Sequence, residues 1–127
     1  MVKILVVDDD EQIRNLLEEI LTAEGYEVAT ADNGLTGMEW LNRELCDLAI
    51  IDIIMPEKEG AELIHELHRQ QPVLKIIAIS GGGVHVDADH ALNVAKILGA
   101  SHTLNKPFTK SDILPLVHDL IGPPKVG

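Results

Sequence analysis

The chain has 127 residues, 46% of them apolar but only 2% aromatic, which is enough for one continuous and largely aliphatic core. Twenty-one acidic against ten basic side chains give a formal charge of −11, which argues against contact with nucleic-acid phosphates or an anionic membrane surface. Cys46 is the one cysteine and excludes an internal disulfide, no leader-like stretch precedes the first strand, and the apolar runs fall far short of the roughly 20 residues that span a bilayer, so a cytoplasmic location is expected.

In chain order, KILVV (3–7) reads as a strand that runs into Asp8, Asp9 and Asp10. Ile13, Leu16, Leu17, Ile20 and Leu21 follow at the spacing of one apolar helix stripe, with Gly25 as the stop. YEVAT (26–30) is the second strand, and Met38 and Leu41 with Leu45 mark the second helix. DLAIID (47–52) is the third strand, followed by a helix marked by Leu63, Ile64 and Leu67. KIIAIS (75–80) is the fourth strand, and Ala91, Val94, Ala95 and Leu98 mark a fourth helix that Gly99 ends. HTLN (102–105) is the fifth strand. A fifth helix follows over Ile113, Leu114, Val117 and Ile121, opened by a capping-box pattern at Thr109 and Asp112, with Pro115 expected to kink it or delay its start. Residues 1–122 are expected to form one domain and 123–127 a tail or the start of a linker.

Strands alternating with helices of this length imply right-handed crossovers and a fold of the α/β class, a (βα)5 doubly wound parallel five-stranded sheet. With a flavodoxin-like order of 2-1-3-4-5, the site forms outside the carboxyl ends of the strands, between strands 1 and 3. The residues at those ends are Asp8 and Asp9, Asp52, Ser80 and Lys106. Asp52 is the most informative, since it sits within LAIIDIIMP, where an ionised group is costly without compensation. Two carboxylates about 5 Å apart repel by roughly 3 kcal/mol at an effective dielectric near 20, so three require a counterion. Oxygen donors select Mg²⁺, Mn²⁺ or Ca²⁺, and a small octahedral Mg²⁺ that keeps several waters suits an open rim and leaves room for a phosphoryl oxygen. Lys106 supplies a point charge that can follow that oxygen.

VVDDD, IIDIIMPEKEG, AISGGG and NKPF, in this order and spacing, resemble the receiver domain of two-component response regulators, the CheY-like superfamily, over residues 3–121. The resemblance implies that Asp52 is the phosphoacceptor, taking a phosphoryl group from a sensor histidine kinase or a histidine phosphotransfer protein. It further implies that Asp9 and Asp52 bind Mg²⁺ (or Mn²⁺) directly, Asp8 partly through water, and Ile54 through its backbone carbonyl. The backbone of Ile53 and Gly81 is expected to meet the phosphoryl group. Ser80 corresponds to the switch hydroxyl, and Lys106 to the family's lysine, with a cis bond to Pro107. A downstream target is expected on the face made by predicted helix 4, strand 5 and helix 5, with the chain a monomer or weak homodimer.

Thr103 stands where the family commonly carries an aromatic switch residue, and Ile54 and Gly82 offer no polar side chain to orient an attacking water, so slow to moderate self-dephosphorylation is expected. The competing function is a metal-dependent phosphohydrolase with an aspartyl nucleophile, but Ile54 stands where such enzymes want a second acid. A degenerate receiver that binds without phosphorylation is disfavoured by the presence of all five rim residues. Asp10 reads as a helix N-cap, Asp32 as a turn or cap residue, Cys46 as packing, Trp40 as remote from the site, and the histidines as solvated or without ligand spacing.

Overall fold

The computed structural model describes residues 2–53, 60–80, 96 and 99–123. Its five strands are β1 (Lys3–Val7), β2 (Glu27–Ala31), β3 (Leu48–Asp52), β4 (Lys75–Ser80) and β5 (His102–Asn105). They form one parallel sheet in the order β2-β1-β3-β4-β5. The helices among the described residues are α1 (Glu11–Ala23), α2 (Gly34–Arg43), α3 (Gly60–Gln70) and α4 (Lys110–Ile121). The stripe at Ala91, Val94, Ala95 and Leu98 lies outside the described residues. Strands 1, 4 and 5 match their expected bounds, β3 begins one residue late, and β2 is displaced by one residue because Tyr26 closes the α1 terminus instead.

Side-chain alternation along each strand sends neighbouring residues to opposite sheet faces, which divides the core in two. Leu5, Val7, Ala49, Ile51, Ile76 and Ala78 pack beneath Leu41 of α2 and Leu63, Ile64 and Leu67 of α3. Ile4, Val6, Leu48, Ile50, Ile77 and Ile79 pack beneath Leu17, Ile20 and Leu21 of α1 and Ile113, Leu114 and Val117 of α4. Both faces of the central strands are therefore dry, which is why β1, β3 and β4 read as unbroken apolar runs.

Two residues of the expected stripes fall outside the core. Leu16 is exposed on α1, and Leu45 is 83% exposed because α2 ends at Arg43, two residues before it. Helix α1 ends in a Schellman motif, with Gly25 at φ 100° donating to Thr22 and Tyr26 donating to Leu21. Gly37 lets α2 lie flush on β1, since a Cβ there would stand 2.9 Å from Val7 Cγ2. Helix α4 starts at Lys110 and runs through Pro115, so the proline does not delay it. Thr109 N–H donates to Asp112 at 2.8 Å, giving the capping interaction expected from their spacing. Among the described residues no helix is long and apolar enough to cross a membrane.

Candidate functional site

Parallel register brings the chemistry together. Val7 pairs with Ile51, so the next residues, Asp8 and Asp52, stand side by side at the carboxyl edge; Ser80 pairs with Asn105, so Lys106 emerges beside them. The ladder continues past the strand ends: Asp8 N–H donates to Ala31 at 3.1 Å, and Lys106 N–H donates to the Ser80 carbonyl at 2.8 Å.

Asp8 and Asp52 are almost completely buried, at 1% and 4% exposure, and Ser80 is fully buried. One oxygen each from Asp8, Asp9 and Asp52 lie within 4.8 Å of one another, with Asp9 on the solvent side. Lys106 Nζ lies 2.9 Å from Asp8 Oδ2 and 3.2 Å from Asp52 Oδ2. Burial of the ammonium pulls its pKa down, but the hydrogen bond to Asp8 and the charges of Asp52 and Asp8 more than offset this, leaving Lys106 above its ordinary value. The Lys106–Pro107 bond is cis, as the resemblance implied.

Among the described residues, three carboxylates share this rim with one ammonium. The buried Asp8 Oδ2 meets the Lys106 ammonium and accepts no other hydrogen bond from a described residue. Its other oxygen accepts the Asp10 N–H at 2.9 Å. A hard oxygen donor set and the buried Asp8 oxygen fit a divalent oxygen-seeking cation.

The structure thus brings Asp8, Asp9, Asp52 and Lys106 into one cluster, with Ser80 beside them at the end of β4. Ile54, Gly81 and Gly82 lie outside the described residues. Ile53 N–H donates to the Ile79 carbonyl at 2.8 Å and continues the sheet one residue beyond β3. Thr103 is half-buried within β5, opposite Ala78. Asp10 caps α1 by accepting from Gln12 at 2.9 Å, whereas α2 is capped by Asn33, with Asp32 in the preceding turn. Trp40 lies away from the site, lining a cavity of about 200 Å³ with Lys3 and Glu44 at the amino end of β1. Cys46 packs against the core edge.

One contact escaped sequence reasoning. Arg14 Nη1 donates to the Asp8 backbone carbonyl at 2.8 Å. The available signal was a cation at the fourth position of a helix, close to its positive end.

Comparison with known proteins agrees with the geometry. The model of the response regulator receiver domain matches residues 4–118. The chain is 36% identical over 118 residues to the transcriptional regulatory protein GlrR of Escherichia coli (strain K12), a match spanning 93% of this chain and 26% of that protein. It is 35% identical over 114 residues to the transcriptional regulatory protein CpxR homolog of Haemophilus influenzae, spanning 90% of this chain and 48% of that protein. The chain therefore spans about a quarter to a half of the length of these curated relatives.

Among solved structures, a CheY-like response regulator receiver domain protein of Methanospirillum hungatei JF-1 superposes with a TM-score of 0.85 at 31% identity, over 94% of this chain and 92% of that one. The receiver domain of NtrX from Brucella abortus gives a TM-score of 0.85 at 30% identity, over 92% and 96% of the two chains. The chain belongs to the response regulator receiver domain family, a signalling domain of two-component systems.

Proposed function

We propose that Asp52 accepts a phosphoryl group from the phosphohistidine of a sensor histidine kinase or phosphotransfer protein, with Mg²⁺ (or Mn²⁺) held by Asp8, Asp9 and Asp52. The observation that carries this reading is the Lys106 ammonium set between the buried carboxylates of Asp8 and Asp52. A carboxylate oxygen of Asp52 attacks phosphorus, the P–N bond to the donor imidazole breaks, its electron pair stays on the imidazole nitrogen, and an acyl phosphate remains. When bound, the cation supplies charge neutralisation for the phosphoryl oxygens. Lys106 holds a proton at Nζ and meets the same developing charge from the β5 side.

Phosphorylation takes the Asp52 side chain from a charge of about −1 to about −2. Ser80, at the end of the neighbouring strand β4, is the hydroxyl placed to answer that change. Movement of Ser80 would be passed to β5, whose Asn105 it opposes and whose following residue, Lys106, donates to its carbonyl. The output is a shift in partner binding on the face that includes β5 and α4. Thr103 in place of an aromatic removes a bulky toggle from that face. The receiver acts in the cytoplasm as a monomer or weak homodimer, and its charge of −11 disfavours direct contact with nucleic acid.

Incubation with Mg²⁺ and a small acyl phosphate, followed by intact-mass measurement, tests the assignment. The wild-type chain is expected to gain one phosphoryl group, Asp52→Asn to gain none, and chelation to abolish labelling. The same adduct on Asp52→Asn would move the acceptor elsewhere.

A further inference from the structure

Resting on the cation site proposed above, we infer that Arg14 is a positioning residue for cation binding: its hydrogen bond to the Asp8 carbonyl holds the Asp8–Asp9 segment so that both carboxylates face the site. The bond from Arg14 Nη1 is 2.8 Å long and returns from α1 to the turn that precedes the helix.

Helix stability does not explain Arg14. It occupies the fourth position of α1, near the positive end of the helix dipole, where a cation is disfavoured. Asp10 and Glu18 lie four residues away on either side, yet among the described residues the guanidinium forms no ion pair. In a chain with twice as many acids as bases, it is half-buried and spent on a backbone carbonyl.

That carbonyl belongs to the peptide unit that also carries the Asp9 N–H. A planar peptide fixed at its oxygen is fixed in orientation, and it sets the direction in which Asp9 leaves the chain. Asp9 needs this support, since it is exposed and its carboxylate has no hydrogen bond or ion pair to a described residue. The rest of the turn is already tied: Asp8 N–H bonds to Ala31, Asp8 Oδ1 accepts from Asp10, and Asp10 caps Gln12. Arg14 supplies the remaining anchor.

The sign of the effect separates positioning from simple charge. A guanidinium near a cation site repels the cation, so removing its charge alone would tighten binding. Removing an anchor that orients ligands weakens it, typically by 10–100-fold for supporting partners of metal ligands.

The test is a Mg²⁺ titration of the full chain without phosphodonor, followed by backbone amide shifts in two-dimensional NMR. Arg14→Met is expected to weaken Mg²⁺ binding about 10-fold. Arg14→Lys, which keeps a donor and a charge on a long stem, is expected to recover most of that loss. Arg14→Gln, too short to reach the carbonyl, carries the same expectation as Arg14→Met and replaces it if the latter does not fold. Labelling by a small acyl phosphate should show a raised half-saturating Mg²⁺ with a near wild-type rate at saturation. Unchanged or tighter binding in Arg14→Met or Arg14→Gln overturns the inference. No Mg²⁺ binding by the wild-type chain would overturn the proposed cation site as well, so the two failures are distinguishable.

Discussion

Lys106 and Asp8 meet at the carboxyl edge of the sheet with 2.9 Å between Nζ and Oδ2, although one follows the last strand and the other the first. The same ammonium reaches Asp52 at 3.2 Å, so a single positive charge serves two carboxylates that are both almost fully buried. Lys106 is therefore expected to contribute to folding as well as to the proposed chemistry.

Replacing Lys106 by Met removes an ammonium that the buried carboxylates of Asp8 and Asp52 share. Breaking a buried pair from one side typically costs about 3–5 kcal/mol. In urea unfolding with chelator present, Lys106→Met is expected to lose stability of that order. Because the proposed divalent cation would compensate the same carboxylates, Mg²⁺ should restore more stability to the variant than it adds to wild type. Equal stability of the two chains in chelator would show that the ion pairs carry no net energy.

The Lys106 pKa also predicts how stability depends on pH. The group is held above its ordinary value in the folded chain, because Asp8 and Asp52 outweigh the effect of burial. The folded state thus binds the proton more tightly than the unfolded state, whose lysine titrates near 10.4. The stabilisation is fully present below that pH and is lost as pH rises through the higher folded value. Urea unfolding of wild type between pH 9 and pH 11.5 should show stability falling more steeply than in Lys106→Met. The difference removes Lys3 and Tyr26, which are common to both chains and also have raised pKa values. Parallel pH curves would count against the assignment.

Much of this site was legible because parallel strands in simple register turn linear positions into spatial ones. Once KILVV and LAIID are strands, Asp8 and Asp52 must end beside each other. Their charge and their apolar flanks then demand compensation. The contacts that were not legible depend on backbone direction rather than residue type. The ladder runs one residue beyond β3, where Ile53 N–H bonds the Ile79 carbonyl. The Arg14 bond depends on how tightly the Asp8–Asp10 turn folds back onto α1, which no spacing rule reports. Leu16 and Leu45 erred for a different reason: helical periodicity describes a stripe wider than the surface a neighbour covers, and it does not mark where the helix stops.

Gly37 is expected to be intolerant of a methyl group. A Cβ there would meet Val7 Cγ2 at 2.9 Å, and Val7 is a fully buried, β-branched residue of the central strand with little freedom to turn aside. Overpacking of this kind costs about 1–3 kcal/mol. Thermal or urea unfolding of Gly37→Ala should show that loss, and the double variant with Val7→Ala should recover part of it as a favourable coupling. Additive losses in the double variant would place the cost in the helix rather than in this contact.

Cys46 offers a test of packing at the other end of the sheet. Burial pushes the thiol up to about 11, assisted by the Asp47 charge and only partly opposed by backbone hydrogen bonds. The thiolate is the reactive form, so at pH 8 the folded chain should react with a disulfide reagent or iodoacetamide roughly 100-fold more slowly than the urea-unfolded chain. Raising the pH toward 10 should accelerate the folded chain more than the unfolded one, whose ordinary thiol is by then largely ionised. Equal rates at pH 8 would show that Cys46 is open to solvent, and the packing of residues 44–47 against β1 would need revision.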